Sequence, residues 1–444
     1  MNNTQQQPRR ILGSGFTLAV SVGGIIGLGI MRTPGEIAEV VPNPWMFLLL
    51  WLSGGLFVLL TASVVAELAG MTPRSGGTYS LVRRAYGPFP GFVMGWVDWL
   101  SCVGDIAIKA IVICEFASLL FPSIVPWQKP LAIMVSTVFA ALQLRNVTLG
   151  AKIQEIAAAS MALIVVGFTL ALLLVDPVVG SETTSIPSPS SGLAVWSLVI
   201  ASIIYTYDGW SYATYFSGEV EGAGAGAARA CIKGVVIVIP LYLFLLAAIA
   251  WKVPLASLAG EDLALATALE MAVSPFASAI VLAAAVAILL AHQNLLYMSG
   301  PRILQALAED GLAVEQASKV SKGGNPVFAV LLSWVLSLGL IIAGDFESLL
   351  YLSVFFYMFV YVGLIAGVLT LRAREPDADR PYRAWWHPWS TYICLVAWLA
   401  IGLLEAAAEM NTAIYAAIMV AVAWPLYRIA EGRRSKRLAD TNRV

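Results

Sequence analysis

Apolar runs of about 20 residues recur along the whole chain, and they constrain the fold more than any other feature. Each run is long enough to cross the roughly 30 Å hydrocarbon core of a bilayer. Of the 444 residues, 59% are hydrophobic and only 12% are charged, whereas soluble domains average about 45–50% apolar and about 25% charged residues. The excess of apolar side chains must face lipid, so the sequence predicts an all-α integral membrane protein.

Hydropathy predicts twelve transmembrane helices within a single membrane domain that covers residues 1–430. The predicted spans are 14–41, 45–70, 88–121, 129–148, 150–175, 192–220, 231–251, 274–307, 326–344, 348–371, 388–407 and 410–429. Residues 254–273 are less apolar and are predicted to form a short external helix. The polar segment 431–444 is predicted to be a disordered cytoplasmic tail, which is common for a chain terminus.

The positive charges indicate an orientation. With both termini in the cytoplasm, all but four of the 26 lysines and arginines fall on the cytoplasmic side, and the Ser/Pro-rich external loop 177–192 has none. This asymmetry fits the positive-inside rule and predicts a multi-pass protein of the cell membrane. The four exceptions are Arg32, Lys109, Lys129 and Lys252.

Several function classes find no support in the sequence. No basic, aromatic-interleaved patch indicates nucleic acid, and the four cysteines lack metal-ligand spacing. The run "GGIIGLG" is no nucleotide loop, because no strand precedes it and no basic residue follows within the turn. We therefore expect no metal, no cofactor, no nucleic acid partner and no enzyme activity.

The first span carries a cluster of glycines at its middle. The stretch "SVGGIIGLGIMRTPGE", residues 21–36, holds four glycines between positions 23 and 29, and each disfavours a helix by roughly 1 kcal/mol relative to alanine. Irregular backbone is tolerated in lipid only where it lines a cavity. The cluster predicts that one half-helix ends near Ile25 and a second begins near Gly29. The alternative is close packing of an unbroken helix against a neighbour.

The sixth span shows a second candidate break. Its sequence "IYTYDGWSYATYFSGEV" places Asp208-Gly209 inside an apolar, aromatic run, and an acid within the membrane is expensive and usually functional. Interruptions in the first and sixth spans predict two five-helix inverted repeats with a ligand site where the breaks meet. Half-helix ends offer N–H groups to a carboxylate and carbonyls to an ammonium group, so a zwitterion is the ligand that fits.

Two further polar features lie inside apolar spans. His292, in the eighth span, is a candidate to carry a coupling proton because histidine titrates near neutral pH; the alternative is a core histidine bonded to a neighbouring helix. Asp105 and Lys109, in the third span, are spaced i, i+4 and can pair on one helix face. Such a pair would hide both charges from lipid.

Five stretches carry a resemblance to a known family. They are "AELAGMTPRSGGTYSLVRRAYGPFPGFVMGW" (66–96), "IGLGIM" (26–31), "YTYDGW" (205–210), "NLLYMSGPRILQALAEDG" (294–311) and "RPYR" (380–383). On these stretches the chain resembles the amino acid–polyamine–organocation (APC) transporter superfamily from about residue 14 to residue 430.

The resemblance implies a five-plus-five inverted-repeat (LeuT-like) fold, alternating access and an amino-acid-like substrate. The repeats would cover about 14–175 and 192–371, followed by two extra helices at 388–429. The resemblance implies that the substrate carboxylate binds the N–H groups of Leu28, Gly29 and Ile30. It implies that the ammonium group binds carbonyls near Ile25 and those of Tyr205, Thr206 and Asp208, with Gly209 in the same break.

Two of these positions have further implied roles. Tyr205 matches an aromatic residue that closes over the substrate on the outer side, and is thus a gating candidate; the alternative is an ordinary core aromatic. Asp208 is either a cap of the second half-helix or a ligand contact, and together with His292 it is a candidate for proton coupling.

The chain departs from the family pattern in three places. Leu28 replaces the usual serine of the first-helix motif, which makes the pocket more apolar and favours a neutral substrate. Met161 stands where many relatives carry a lysine, whose ammonium group takes the place of a bound cation. The loop 219–230 keeps Glu219 but has alanines where the family has two prolines, so it is expected to be either more helical or more mobile than in relatives.

The leading hypothesis is a secondary transporter of neutral L-amino acids, working as an exchanger, a uniporter or a proton symporter. A polyamine or cationic amino acid carrier of the same fold is the alternative. A membrane sensor that binds a ligand without moving it is a weaker one, because no soluble signalling domain is apparent. No accessory subunit is implied.

Overall fold

The computed structural model describes residues 12–178, 192–343, 346–408 and 410–441. Within these ranges the chain forms fifteen α-helices and four short 3-10 helices. Apart from one isolated bridge between Leu12 and Val220, the described residues contain no β-structure. The N-terminal residues and the interior of the Ser/Pro-rich loop lie outside the described residues.

The helices follow one another closely along the chain. They are α1 (Ser14–Ile25), α2 (Gly29–Val40), α3 (Pro44–Gly70), α4 (Gly77–Tyr86), α5 (Pro88–Leu120), α6 (Gln128–Arg145), α7 (Val147–Leu173), α8 (Leu193–Thr206), α9 (Ala223–Lys252), α10 (Ala264–Ala272), α11 (Ala277–Glu309), α12 (Val327–Ala343), α13 (Phe346–Arg374), α14 (Trp389–Ala408) and α15 (Met410–Thr441). The 3-10 helices are Pro122–Trp127, Trp210–Phe216, Leu255–Leu258 and Glu315–Ser318.

Six helical segments of the described residues are long and apolar enough to cross a bilayer. They are Ser14–Val40, Pro44–Gly70, Pro122–Arg145, Val147–Leu173, Ala223–Lys252 and Ala277–Glu309, and two shorter apolar helices are Val327–Ala343 and Trp389–Leu404. The chain is therefore a multi-pass membrane protein. The 33-residue α5 is long enough but carries Asp98, Asp105, Lys109 and Glu115. The total of twelve spans stays a prediction.

The structure contradicts the prediction made for the C-terminal tail. The tail after residue 430 is not disordered but continues α15 as far as Thr441. The segment "EGRRSKRLAD" is rich in good helix formers, and adding residues to an existing helix avoids the cost of nucleation.

Two other local expectations are confirmed. The segment that lacks the family's prolines is helical, because α9 begins at Ala223 rather than near residue 231. Gly222, with φ of 76°, precedes it in the left-handed conformation that glycine adopts most easily. The short helix expected within 254–273 is present as the two helices Leu255–Leu258 and Ala264–Ala272. Its external position stays a prediction.

A buried ion cluster joins three separate segments on the side that the charge pattern predicts to be cytoplasmic. Glu67, 1% exposed, accepts hydrogen bonds from Arg372 at 2.7 and 2.6 Å and from the Ala384 N–H at 2.7 Å. Arg380, from the "RPYR" motif, lies 3.2 Å from the same carboxylate. The Glu67 carboxylate therefore ties the end of α3 to α13 and to the loop that follows α13.

Further ion pairs, mostly part-exposed, link α4 to the end of α13 and the α3–α4 connection to the end of α11. Arg84 of α4 donates to Glu375 just beyond α13 at 2.6 Å, and this hydrogen bond holds the pKa of Glu375 below its usual range. The pair therefore stays charged at neutral pH. Arg74, between α3 and α4, lies 3.3 Å from Glu309 and 2.9 Å from Asp310 at the end of α11.

We expect Glu67→Gln to destabilise the protein by about 3 kcal/mol or more, because two arginines lose their common buried counter-charge. Glu309→Gln is the matched control: it breaks a partly exposed pair, worth about 0–1 kcal/mol, and Arg74 keeps Asp310. Thermal unfolding in detergent, followed by intrinsic fluorescence, measures both variants. Equal unfolding midpoints for the two variants would contradict this account of the cluster.

Candidate functional site

The first span is broken where the glycine cluster predicts. The α1 helix ends at Ile25 and α2 begins at Gly29, and Ile26 between them is extended, with φ of −71° and ψ of 92°. Among the described residues, the N–H groups of Leu28, Gly29 and Ile30 donate no hydrogen bond to the main chain. The start of α2 therefore presents unpaired donors in the middle of a span.

The sixth span is broken as well. The α8 helix ends at Thr206, and Gly209 has φ of 100°, a left-handed conformation that side chains resist. The chain then continues as the 3-10 helix Trp210–Phe216 and not as an α-helix. The expected second half-helix is thus a tight seven-residue turn segment.

The two breaks touch each other through glycine backbone. A Cβ atom on Gly24 would lie 2.4 Å from the Gly209 carbonyl oxygen, and one on Gly209 would lie 2.3 Å from the Gly24 oxygen. A Cβ atom on Gly29 would lie 2.7 Å from Thr206 Oγ1. The glycines therefore serve both purposes that the sequence left open, because they permit the break and also a very close crossing.

A cavity of about 110 Å³ lies at this crossing. It is lined by Gly24, Ile25, Gly27, Leu28, Gly29, Asp105, Lys109, Tyr205, Thr206, Asp208, Gly209, Tyr212, Leu289 and His292. Seven of the eight predicted binding positions are in this lining. The exception is Ile30, whose side chain is fully buried away from the cavity. Tyr205, the gating candidate, is 46% exposed, which fits a side chain that borders open space.

Carbonyl groups at the two breaks are only partly used. The Ile25 oxygen accepts a hydrogen bond from the Tyr242 hydroxyl of α9 at 2.9 Å. The Tyr205 oxygen accepts from the Asp208 N–H at 3.1 Å. A carbonyl oxygen has two lone pairs, so the Ile25 oxygen can accept one more hydrogen bond. The cavity thus has unpaired donors and available acceptors of the main chain side by side.

Asp208 does not cap the segment that follows it. The 3-10 helix starts after Gly209 and has no side-chain cap, so the cap expected from the sequence is wrong. The Asp208 carboxylate instead accepts a hydrogen bond from the Tyr361 hydroxyl of α13. Asp208 also borders the cavity, which leaves the ligand-contact interpretation standing.

His292 is bonded on both sides of its ring. Its Nε2 lies 3.1 Å from the Gly24 oxygen at the end of α1, and its Nδ1 lies 3.1 Å from the Ile288 oxygen. A neutral imidazole has one N–H and can donate to only one of these carbonyls, whereas an imidazolium donates to both. His292 is therefore bonded to a neighbouring helix and also borders the cavity.

Other cavity residues were not among the predicted site positions. Asp105 and Lys109 pair on α5 as expected, with Nζ and Oδ2 3.5 Å apart, but the pair borders the cavity. Shielding from lipid was a sufficient explanation of their spacing, so the sequence did not require a site there. The signal that could have found them is the rarity of charges at mid-span. Tyr212 and Leu289 carried no comparable signal.

A polar network holds the neighbouring helix in place. The Asn294 amide of α11 donates to the Gly150 carbonyl and to Gln154 Oε1, both at 3.1 Å, and its oxygen accepts from Gln143 at 2.9 Å. These bonds tie α11 to α6 and α7. They fix the register of the helix that brings His292 to the cavity.

Comparison with known families identifies the chain. The family model described as "Amino acid permease" matches residues 16–424. The chain belongs to the amino acid permease family. This permease is 25% identical to the uncharacterized amino acid permease YvbW of Bacillus subtilis over 95% of this chain and 97% of that protein.

Two further relatives of the permease have names that state an activity. The serine/threonine exchanger SteT of Bacillus subtilis is 23% identical, with 87% of this chain and 89% of that protein covered. The b(0,+)-type amino acid transporter 1 of Mus musculus is 24% identical, with 82% and 77% covered. Because the family is one of permeases, membership implies a transporter and not an enzyme.

We expect Gly24→Ala to lower the unfolding midpoint of the permease and to abolish uptake, because the added methyl group cannot fit against the Gly209 carbonyl. Overpacking of this kind typically costs about 1–3 kcal/mol. Gly27→Ala is the control within the same break, since its Cβ would make only ordinary van der Waals contacts, with His292 Cε1 at 3.6 Å and with His292 Nε2 and the Ile25 oxygen at 3.7 Å. Gly167→Ala on α7, with nothing within 4 Å, is the remote control.

Thermal unfolding and uptake into proteoliposomes measure the three glycine variants. Gly27→Ala and Gly167→Ala are expected to keep the wild-type midpoint. A Gly24→Ala variant with wild-type midpoint and wild-type uptake would show that the two breaks do not cross as described.

Proposed function

We propose that this permease is a secondary transporter that carries neutral L-amino acids across the cell membrane by alternating access. The observation that carries the proposal is the meeting of two broken spans at one cavity. There the main chain offers unpaired N–H groups and available carbonyl oxygens together. A zwitterion needs both kinds of partner at a short distance from each other.

The carboxylate of the substrate would bind the N–H groups of Leu28, Gly29 and Ile30. The partial positive charge at the start of α2 adds to these hydrogen bonds. Because Ile30 contributes only its main chain, its buried side chain is compatible with this role. Leu28 itself adds no polar group to the pocket.

The ammonium group would bind the carbonyls that the two breaks present. The Ile25 oxygen keeps one lone pair, and Tyr205, Thr206 and Asp208 also border the cavity. Gly209 lets the chain turn at this point. Tyr205, half-exposed beside the cavity, would close over a bound substrate, which is the gating role we assign to it.

The larger architecture that we propose is the five-plus-five inverted repeat, with residues 14–175 and 192–371 as the repeats and 388–429 as two added helices. The breaks in α1–α2 and after α8 lie near the start of each proposed repeat. Discontinuous helices in corresponding places of two repeats are typical of transporters that bind substrate at the midplane. Twelve spans would put both termini on the same side of the membrane, and the positive-inside rule assigns that side to the cytoplasm.

The coupling mode that we favour is exchange or proton symport. The relative named a serine/threonine exchanger supports exchange. His292 and Asp208 are the proposed proton carriers, and the bonds from His292 to Gly24 and Ile288 are consistent with a proton-dependent contact to the end of α1. Met161, fully inside the protein, leaves no lysine in that position.

A cationic amino acid or polyamine carrier is the second candidate. The observation in its favour is that two carboxylates, Asp105 and Asp208, border the cavity. Lys109, which borders the same cavity, opposes a second cation. For this reason we rank the neutral substrate first.

We expect purified permease in proteoliposomes to take up labelled neutral L-amino acids. Uptake should rise when the vesicles are preloaded with the unlabelled amino acid if exchange operates, or with an inward proton gradient if symport operates. The D-enantiomer is the control, because it cannot place both charged poles and its side chain as the L-form does. Failure of every amino acid both to enter and to raise the unfolding midpoint would end the proposal.

A further inference from the structure

The Asp105–Lys109 pair brings charge to a part of the cavity that the breaks do not supply. Both residues project from α5, whereas the main-chain groups come from α1, α2 and α8. Their side chains are 6% and 16% exposed, so neither is solvated by bulk water. The pair is therefore a cavity wall and not a surface ion pair.

The Lys109 ammonium is short of partners. Its Nζ lies 3.5 Å from Asp105 Oδ2, whereas N⁺–H···O⁻ hydrogen bonds are about 2.7–2.9 Å long. Within the described part of the chain, this carboxylate is the one partner found for an ammonium with three N–H groups. A purely structural ion pair away from water is stabilising only with tight geometry, and the 3.5 Å separation between Lys109 Nζ and Asp105 Oδ2 is not tight.

The charges that border the cavity limit what can lie beside this pair. Asp105 and Asp208 are acids, Lys109 is a base, and Asp208 already accepts a bond from Tyr361. An acidic substrate side chain would add a third negative charge, and a basic one would lie beside Lys109. An uncharged side chain with both a donor and an acceptor meets neither difficulty. It can donate to Asp105 and accept from Lys109 at once.

We propose that Asp105 and Lys109 form the side-chain subsite of this permease and select short L-amino acids with a hydroxyl or carboxamide group. This inference rests on the proposed function, since it assumes that the two breaks hold the charged poles of the substrate. It differs from shielding of the pair from lipid, because it requires the pair to contact the ligand. The small cavity volume fits a short side chain.

Isosteric competitors test the subsite in the wild-type permease. Threonine and valine have nearly the same shape, as do asparagine and leucine to a first approximation. A bond to a charged group contributes about 1.5–3 kcal/mol, so we expect threonine to compete for uptake at a concentration at least about tenfold lower than valine. Equal competition by threonine and valine overturns the inference.

Variants test whether the pair causes the preference. Lys109→Met and Asp105→Asn should each bring the threonine-to-valine ratio close to one. The double variant Asp105→Leu, Lys109→Met replaces the ion pair by apolar groups, which is often neutral for folding, and guards against an unfolded single variant. Glu115→Gln is the matched control, an exposed charge on the same helix that should leave the ratio unchanged.

The outcomes separate the two proposals. A wild-type permease that transports no amino acid overturns the proposed function and this inference together. Transport with a threonine-to-valine ratio that the double variant leaves unchanged overturns only the inference. The ratio is read by competition for uptake and, for a variant too slow to transport, by the shift in unfolding midpoint with each amino acid. Loss of binding of both isosteres in a folded variant also overturns the inference.

Discussion

The structure depends on a crossing of two backbone segments, and at the contact each segment has a glycine and therefore no side chain. Gly24 and Gly209 approach so closely that a single methyl group on either would overlap the carbonyl of the other. Polar main-chain groups inside a membrane must find partners or line a cavity. At the crossing, two interrupted segments line the same cavity. The cavity, its unpaired N–H groups and its available carbonyls all follow from this contact.

Much of this could be read from the sequence, and for a physical reason. Glycine and an intramembrane acid are costly in a span, so "GGIIGLG" and Asp208-Gly209 indicated breaks, and the helices do end there, at Ile25 and Thr206. The sequence did not indicate that the second break continues as a 3-10 helix, or that Asp208 would bond to Tyr361. Those outcomes depend on what packs against the segment from distant parts of the chain.

The charged pair on α5 shows where sequence reasoning stops. Spacing of i, i+4 was enough to predict that Asp105 and Lys109 contact each other, but not which way the shared face of the helix points. A helix face that packs against other helices and one that lines an internal cavity give the same sequence pattern, because both are shielded from lipid. The rotation of α5 about its axis, set by packing against α11 and α13, decides between them.

The Tyr242 hydroxyl, bonded to the Ile25 carbonyl, has a consequence for affinity. A loose helix end would have to be immobilised by whatever ligand it met, and that loss of conformational freedom would weaken association. Here the neighbouring helix has already fixed the direction of the oxygen during folding. An arriving cationic group therefore encounters a rigid acceptor, and rigidity of this kind strengthens binding without any added contact area.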